Sequence, residues 1–295
     1  MGKPGVRKLG KLAGRRADGK ETAQSAPASR APETPHGPNL ALKEDALTPM
    51  DLAPILFAVG TLAGLIDAIA GGGGLITVPA LLWSGLDPVS ALATNKAQGV
   101  FGSGAATANF ARQGAIDLRQ AWPAVACAFI GAGGGAAAVQ HLGSDTLARI
   151  VPLLLIAFAL YFLFSPRVSD LDSRQRLSEG AFALLVGTGV GFYDGFFGPG
   201  TGTFFAMGYV GLLGYNLRRA TAHTKLLNFA SNLAALAFFI AGAHVVWALA
   251  LPMAAGQFIG AWVGSHLVLR HGTRLIRPLL VLAALAVSVK LLMDD

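Results

Sequence analysis

From Leu52 onward the sequence is a succession of apolar runs separated by short polar breaks. Most are close to or longer than the roughly 18 residues that carry a helix across a bilayer. In hydrocarbon every backbone N–H and C=O needs an internal partner, so runs of this kind are expected to span as α-helices. Charge agrees: 13% of the 295 residues are charged, against about 25% in a soluble domain, too few to cover a soluble globule of this size. The expected fold class is an all-α polytopic membrane protein. The formal net charge is +7, but the basic residues gather in the first twenty positions and in short loops. That distribution suits topology determination by Lys and Arg, and no nucleic-acid partner is expected. The single cysteine, Cys127, excludes an intrachain disulfide and reads as a buried inert thiol.

Residues 1–50 differ in composition, being rich in Lys, Arg, Ala, Pro and Gly. No apolar core follows the basic start, so this is not a secretory signal peptide, and a disordered tail is expected. Met50 stands just before the first apolar run and reads as an alternative start. The first transmembrane repeat is assigned to 51–165, a polar linker to 166–179, and a second repeat to 180–295. Apolar segments run at about 52–84, 89–110, 121–141 and 147–165, then 180–213, 219–241, 245–269 and 276–293. About eight transmembrane helices follow.

The two halves match each other in one order. GLIDAIAGGGG from Gly64 aligns with GFYDGFFGPGT from Gly191, setting Asp67 against Asp194 and Gly71 against Gly198. ATNK ending at Lys96 aligns with AHTK ending at Lys225; Pro123, Gly131 and Gly135 align with Pro252, Gly260 and Gly264. RIVP at Pro152 aligns with LIRP at Pro278. The later glycine pairs have the small-xxx-small spacing that lets helix backbones approach. Loop charge orients the halves. Arg112 and Arg119 flank the second loop of the first half, whereas 85–88 and 142–146 hold no Lys or Arg. In the second half Arg218 and Arg219 fall at the first loop and Arg270 and Arg274 at the third, with none in 241–246. Equivalent loops therefore lie on opposite faces, which predicts two inverted repeats.

Each repeat carries a Gly-broken helix. A straight helix over 52–84 would be roughly 50 Å long against a hydrocarbon core of about 30 Å, so that segment must tilt strongly, break, or return as a hairpin. The run Gly71, Gly72, Gly73, Gly74 supplies the break in the first half; Gly198, Gly200, Thr201 and Gly202 supply it in the second. A helix beginning at such a break presents N–H donors and partial positive charge suited to an anion. Two inverted copies would bring two such ends together. The other reading is that these glycines only permit kinks or close packing.

Four charges stand alone in apolar segments: Asp67, Lys96, Asp194 and Lys225. Each costs roughly 2.5–3.5 kcal/mol at a helix centre on insertion scales, so such residues face a cavity and pair. Either the acids and bases only neutralise one another, or the lysines offer charge to a permeating anion while Asp67 and Asp194 pair with them or accept protons. Thr94, Asn95 and Gln98 flank Lys96; Thr224, Asn228, Ser231 and Asn232 flank or follow Lys225. Lys225, Asn228 and Asn232 share one helix face, which lines a site or hydrogen-bonds a neighbouring helix. His223 reads as a packed histidine. The sequence holds no serine-hydrolase elbow, HExxH, cysteine pair or nucleotide loop in the required context, so no enzyme activity, cofactor or metal is expected.

At these residues the chain resembles the sulfite exporter TauE/SafE family. The resemblance is carried by GLIDAIAGGGGLITVPALL, GFYDGFFGPGTGTFF and ATAHTKLLNFASN, and covers about 52–293. It implies a duplicated multi-helix permease of the plasma membrane. Family members are associated with moving small sulfur-containing anions and organic sulfonates. Carried over are Asp67 with Gly71 to Gly74, Asp194 with Gly198, Gly200 and Gly202, and Thr224, Lys225, Asn228 and Asn232. The expected partners are a small anionic substrate, the lipid bilayer and protons as coupling ion.

Overall fold

A computed structural model of the chain describes residues 48–164 and 174–271. The basic tail up to residue 47, linker residues 165–173 and the last apolar segment, with Arg274 and Pro278, lie outside the described residues. The rest is helical: α1 Pro49–Ala70, α2 Gly74–Trp83, α3 Pro88–Arg112, α4 Leu118–Gln140 and α5 Ser144–Phe164. After the linker come α6 Glu179–Phe182, a π-helical turn Ala183–Gly187, α7 Thr188–Phe196, α8 Thr201–Leu213, α9 Leu217–Ala241 and α10 Trp247–His271. Among the described residues four helices are long and apolar enough to cross a membrane by themselves: Met50–Ala70, Leu118–Gln140, Leu217–Ala241 and Trp247–Arg270. Large apolar side chains such as Ile130, Leu153, Leu184 and Trp122 are about two-thirds exposed, as lipid-facing positions must be. The protein is a polytopic helical membrane protein.

Helix starts follow local chemistry. Asp87 caps α3 by accepting from Val89 N at 3.0 Å and Ser90 N at 3.1 Å, with Pro88 at the first helical position. Asn216 caps α9 through Arg219 N at 2.9 Å. Such caps satisfy amides that the helix leaves unpaired, each worth about 1 kcal/mol.

Of the three options open for 52–84, the chain takes the hairpin. α1 ends at Ala70 and its cap Gly71 is left-handed, φ 81°. α2 then runs back along it: its entry residue Gly73 abuts Asp67 and Ala63, while Leu81 near its end clusters with Leu52 and Leu56. α7 and α8 repeat the design. Thr201 meets Asp194, and further along α8 Tyr209 packs at a tilt against Phe182 with ring centroids 4.6 Å apart.

The glycine spacings produce backbone contact between the halves. A Cβ on Gly191 would lie 2.6 Å from the Ala128 carbonyl oxygen, and one on Gly195 would run into the Ala132 carbonyl. α7 thus packs parallel to α4. On the other side Gly60 faces Met253, Gly64 faces Gln257 and Gly264 faces Leu65, so α1 packs parallel to α10. Gly131, Gly135, Gly260 and Gly264 all serve these two seams. At the centre α3 and α9 run antiparallel: Val89 and Leu92 cluster with Ala235 and Phe239, while Phe110 clusters with Ala222.

The loops sort onto two ends. At one, Leu52, Leu86, Ala91 and Leu249 come together, and Leu142 packs with Val89 and Val245. At the other, Gln120 bonds Glu179 and receives Arg219 Nη2 at 2.7 Å, and the linker amides of Arg176 and Leu177 bond Leu212 O. Cys127 departs from expectation: it is half-buried, not buried. α4 turns it against the π turn, where a Cβ on Gly187 would be 3.1 Å from its own Cβ. His223 is packed as expected, with Nδ1 2.9 Å from Arg219 O and its ring against the stacked pair Tyr209 and Tyr215.

Candidate functional site

The tips of the two hairpins meet. A Cβ on Gly71 would fall 2.5 Å from the Gly202 carbonyl carbon, and one on Gly74 would fall 2.9 Å from Pro199 Cα. Thr203 Oγ1 donates to Ala70 O at 2.7 Å, tying one tip to the other. Gly71 and Gly198 (φ 100°) adopt the left-handed backbone that only glycine takes readily. At both positions a side chain is excluded as well, since a Cβ on Gly198 would sit 2.5 Å from Lys96 Nζ.

The lone charges pair across the repeats. Lys96 on α3 donates to Asp194 on α7 at 2.6 Å, and Lys225 on α9 donates to Asp67 on α1 at 3.0 Å. Each lysine sits eight residues into its helix, about 12 Å from that helix's start. Because α3 and α9 are antiparallel, the two pairs approach from opposite ends.

The pairs are alike in chemistry but not in environment. The Asp194 side chain is 4% exposed; its Oδ1 also accepts from Thr201 Oγ1 at 3.0 Å, and its Oδ2 accepts from Ser231 Oγ. The Asp67 side chain is 20% exposed. Its Oδ1 receives only the Gly73 amide, at 3.3 Å, and Lys225 Nζ also donates to the Asp67 backbone carbonyl. The position matching Ser231 in the first repeat is Gly102. Through the gap it leaves, Gln257 of α10 enters: a Cβ on Gly102 would strike Gln257 Oε1.

Between the pairs lies a polar cavity of about 40 Å³. Of the residues singled out from sequence, Asp67, Gly71, Gly73, Gly74, Asn95, Lys96, Asp194, Gly198, Gly200, Thr201, Gly202, Asn228 and Asn232 line it. Four do not. Gly72 sits in the hairpin turn, its carbonyl accepting from Leu75 N at 3.1 Å. Thr94 Oγ1 accepts from Val246 N at 3.1 Å, the buried Thr224 is off the wall, and Lys225 stands behind Asp67. Gln98, Gly99 and Gln257 complete the lining. Gln98 was visible as a flanking polar residue. Gln257 had a weaker signal, as the one amide side chain in the apolar stretch Trp247 to Trp262. Asn95 knits one wall: Thr77 Oγ1 donates to its Oδ1 at 2.5 Å and Gln98 Nε2 at 2.7 Å.

The arrangement is a small polar pocket lined by two helix N-termini, the Lys96–Asp194 pair, the Asp67 carboxylate that Lys225 neutralises from behind, and amide side chains. Among the described residues no group of His, Cys, Asp and Glu is placed to hold a metal. Comparison with known proteins is consistent with that chemistry. The family model described as sulfite exporter TauE/SafE matches residues 56–291. The chain is 48% identical over 244 residues to "Probable membrane transporter protein YfcA" of Escherichia coli K12, covering 83% of this chain and 91% of that one. It is 46% identical to "Probable membrane transporter protein ORF9" of Sinorhizobium sp, covering 82% and 93%. A "Probable membrane transporter protein" of Haemophilus influenzae is 45% identical, covering 83% and 96%. No solved structure matches. These relatives are all named as probable membrane transporters, none as an enzyme, and the chain belongs to the sulfite exporter TauE/SafE family.

Proposed function

We propose that the protein is a secondary transporter of the plasma membrane. It passes a small anion, a sulfur-containing oxyanion or organic sulfonate such as sulfite, through the cavity at the crossed hairpin tips. The observation that carries this reading is the swapped pairing of Lys96 with Asp194 and Lys225 with Asp67 around a pocket that both hairpin tips line. Buried ion pairs between two halves around one cavity are what a protein needs if the halves rock about a fixed site. Sulfite uptake into proteoliposomes tests it. Wild-type protein is expected to move sulfite at rates that Lys225→Gln lowers at least tenfold; equal flux in both, or none in the wild type for any sulfur oxyanion or sulfonate, defeats the proposal.

The repeats are inverted in this reading. Its support is that α3 and its counterpart α9 are antiparallel, and that each repeat begins with a hairpin that leaves and returns to one end. Three crossings then follow in the first repeat, so the second begins on the opposite side. By the charge of the short loops alone, the end that carries Arg112, Arg119, Arg176, Arg218 and Arg219 is the cytoplasmic one; α1 then starts on the opposite side, against the charge of the basic stretch that precedes it. In a Cys127→Ala background, Ser144→Cys should react with an impermeant thiol reagent added to intact cells. Gln113→Cys should react only after permeabilisation. The reverse pattern would rule the orientation out.

A further inference from the structure

The charge count in the cavity bears on which anions it takes. Lys96 and Lys225 are cancelled by Asp194 and Asp67. What remains positive is the pair of helix ends: the first turns of α2, ten residues long, and α8, thirteen residues long, line the cavity. Each end is equivalent to roughly half a charge, so together they balance about one negative charge and not two. A second negative charge would stand uncompensated away from water, which is strongly unfavourable.

A separate observation concerns hydrogen bonding. Gln98 and Asn228 are 1% and 5% exposed, both line the cavity, and Gln98 Oε1 and Asn228 Oδ1 have no partner. Gln98 is oriented by its other end, since its Nε2 donates to Asn95 Oδ1 at 2.7 Å. Buried carbonyl oxygens without a donor are costly, and an anion made only of acceptor oxygens gives them nothing. We infer, resting on the transport reading above, that the site selects a monoanionic oxyanion carrying its own hydrogen-bond donor. A hydroxyalkanesulfonate or a singly protonated oxyanion has both properties. The sulfonate or deprotonated face meets the helix ends, the O–H donates to Gln98 Oε1 or Asn228 Oδ1, and dianions are rejected.

Titration of the purified full chain with 2-hydroxyethanesulfonate, ethanesulfonate and sulfate at one pH separates charge from donor. The hydroxyl compound is expected to bind about 2- to 10-fold tighter than ethanesulfonate, the worth of one hydrogen bond. Sulfate should bind at least about tenfold weaker than ethanesulfonate. In Asn228→Leu, or in Gln98→Leu if the first fails to fold, the ratio between the two sulfonates should shrink to within about twofold. Sulfate binding as tightly as ethanesulfonate, no hydroxyl advantage in the wild type, or an advantage untouched in both variants overturns the inference and leaves transport standing. Failure of every anion to bind, together with absence of flux, overturns both.

Discussion

Asp194→Asn is expected to lower stability by about 3–5 kcal/mol. Removing one partner of a buried ion pair strands the other charge, and the Lys96 side chain is 1% exposed with the Asp194 carboxylate as its ion-pair partner. The same change disturbs the contacts from Thr201 and Ser231. Thermal unfolding of the detergent-solubilised variant measures the loss. A Lys96→Met/Asp194→Leu double variant should be more stable than Asp194→Asn alone, because no buried charge is left unpaired. A double variant weaker than the single one would show that the cost came from packing and not from the stranded ammonium.

Asp67→Asn should behave differently although the chemistry of the pair is the same. Here Lys225 keeps the Asp67 backbone carbonyl as acceptor, and the carboxylate it loses was one-fifth exposed to begin with. The stability cost is expected to be about 1–3 kcal/mol, that of weakening one charged hydrogen bond, and the variant should still fold. Its large effect falls on coupling. If protons drive transport, Asp67 is the carboxylate expected to carry the coupling, because its side chain is 20% exposed against 4% for Asp194. Proteoliposomes with an imposed pH gradient should show wild-type accumulation of sulfite and, in Asp67→Asn, only equilibration. Accumulation in Asp67→Asn equal to wild type would remove protons, or at least Asp67, from the mechanism.

Much of this site is legible before any coordinates. The lone charges are conspicuous because hydrocarbon penalises each of them, and internal repetition marks Asp67 with Asp194 and Lys96 with Lys225 as equivalent. Who pairs with whom is not legible: within each repeat the acid and base stand 29 or 31 residues apart, yet each bonds its opposite number in the other repeat. Spacing carries no information about a contact that spans 98 or 158 positions. Gln257 escaped for a related reason. It matters because Gly64 and Gly102, on two other helices, leave room for it, and a vacancy created by two distant glycines has no signature at residue 257.

The sequence by itself determined that this is a helical membrane protein, that its two halves carry matching motifs, and which polar groups are too costly in lipid to lack a purpose. These follow from local composition and from the solvation of single groups. Only the tertiary structure decided that the glycine runs make returning hairpins, that the two halves exchange ion pairs, and that one carboxylate is more deeply buried than its twin. Those outcomes depend on which helix faces fill one another's gaps, a property of pairs of segments distant in the chain.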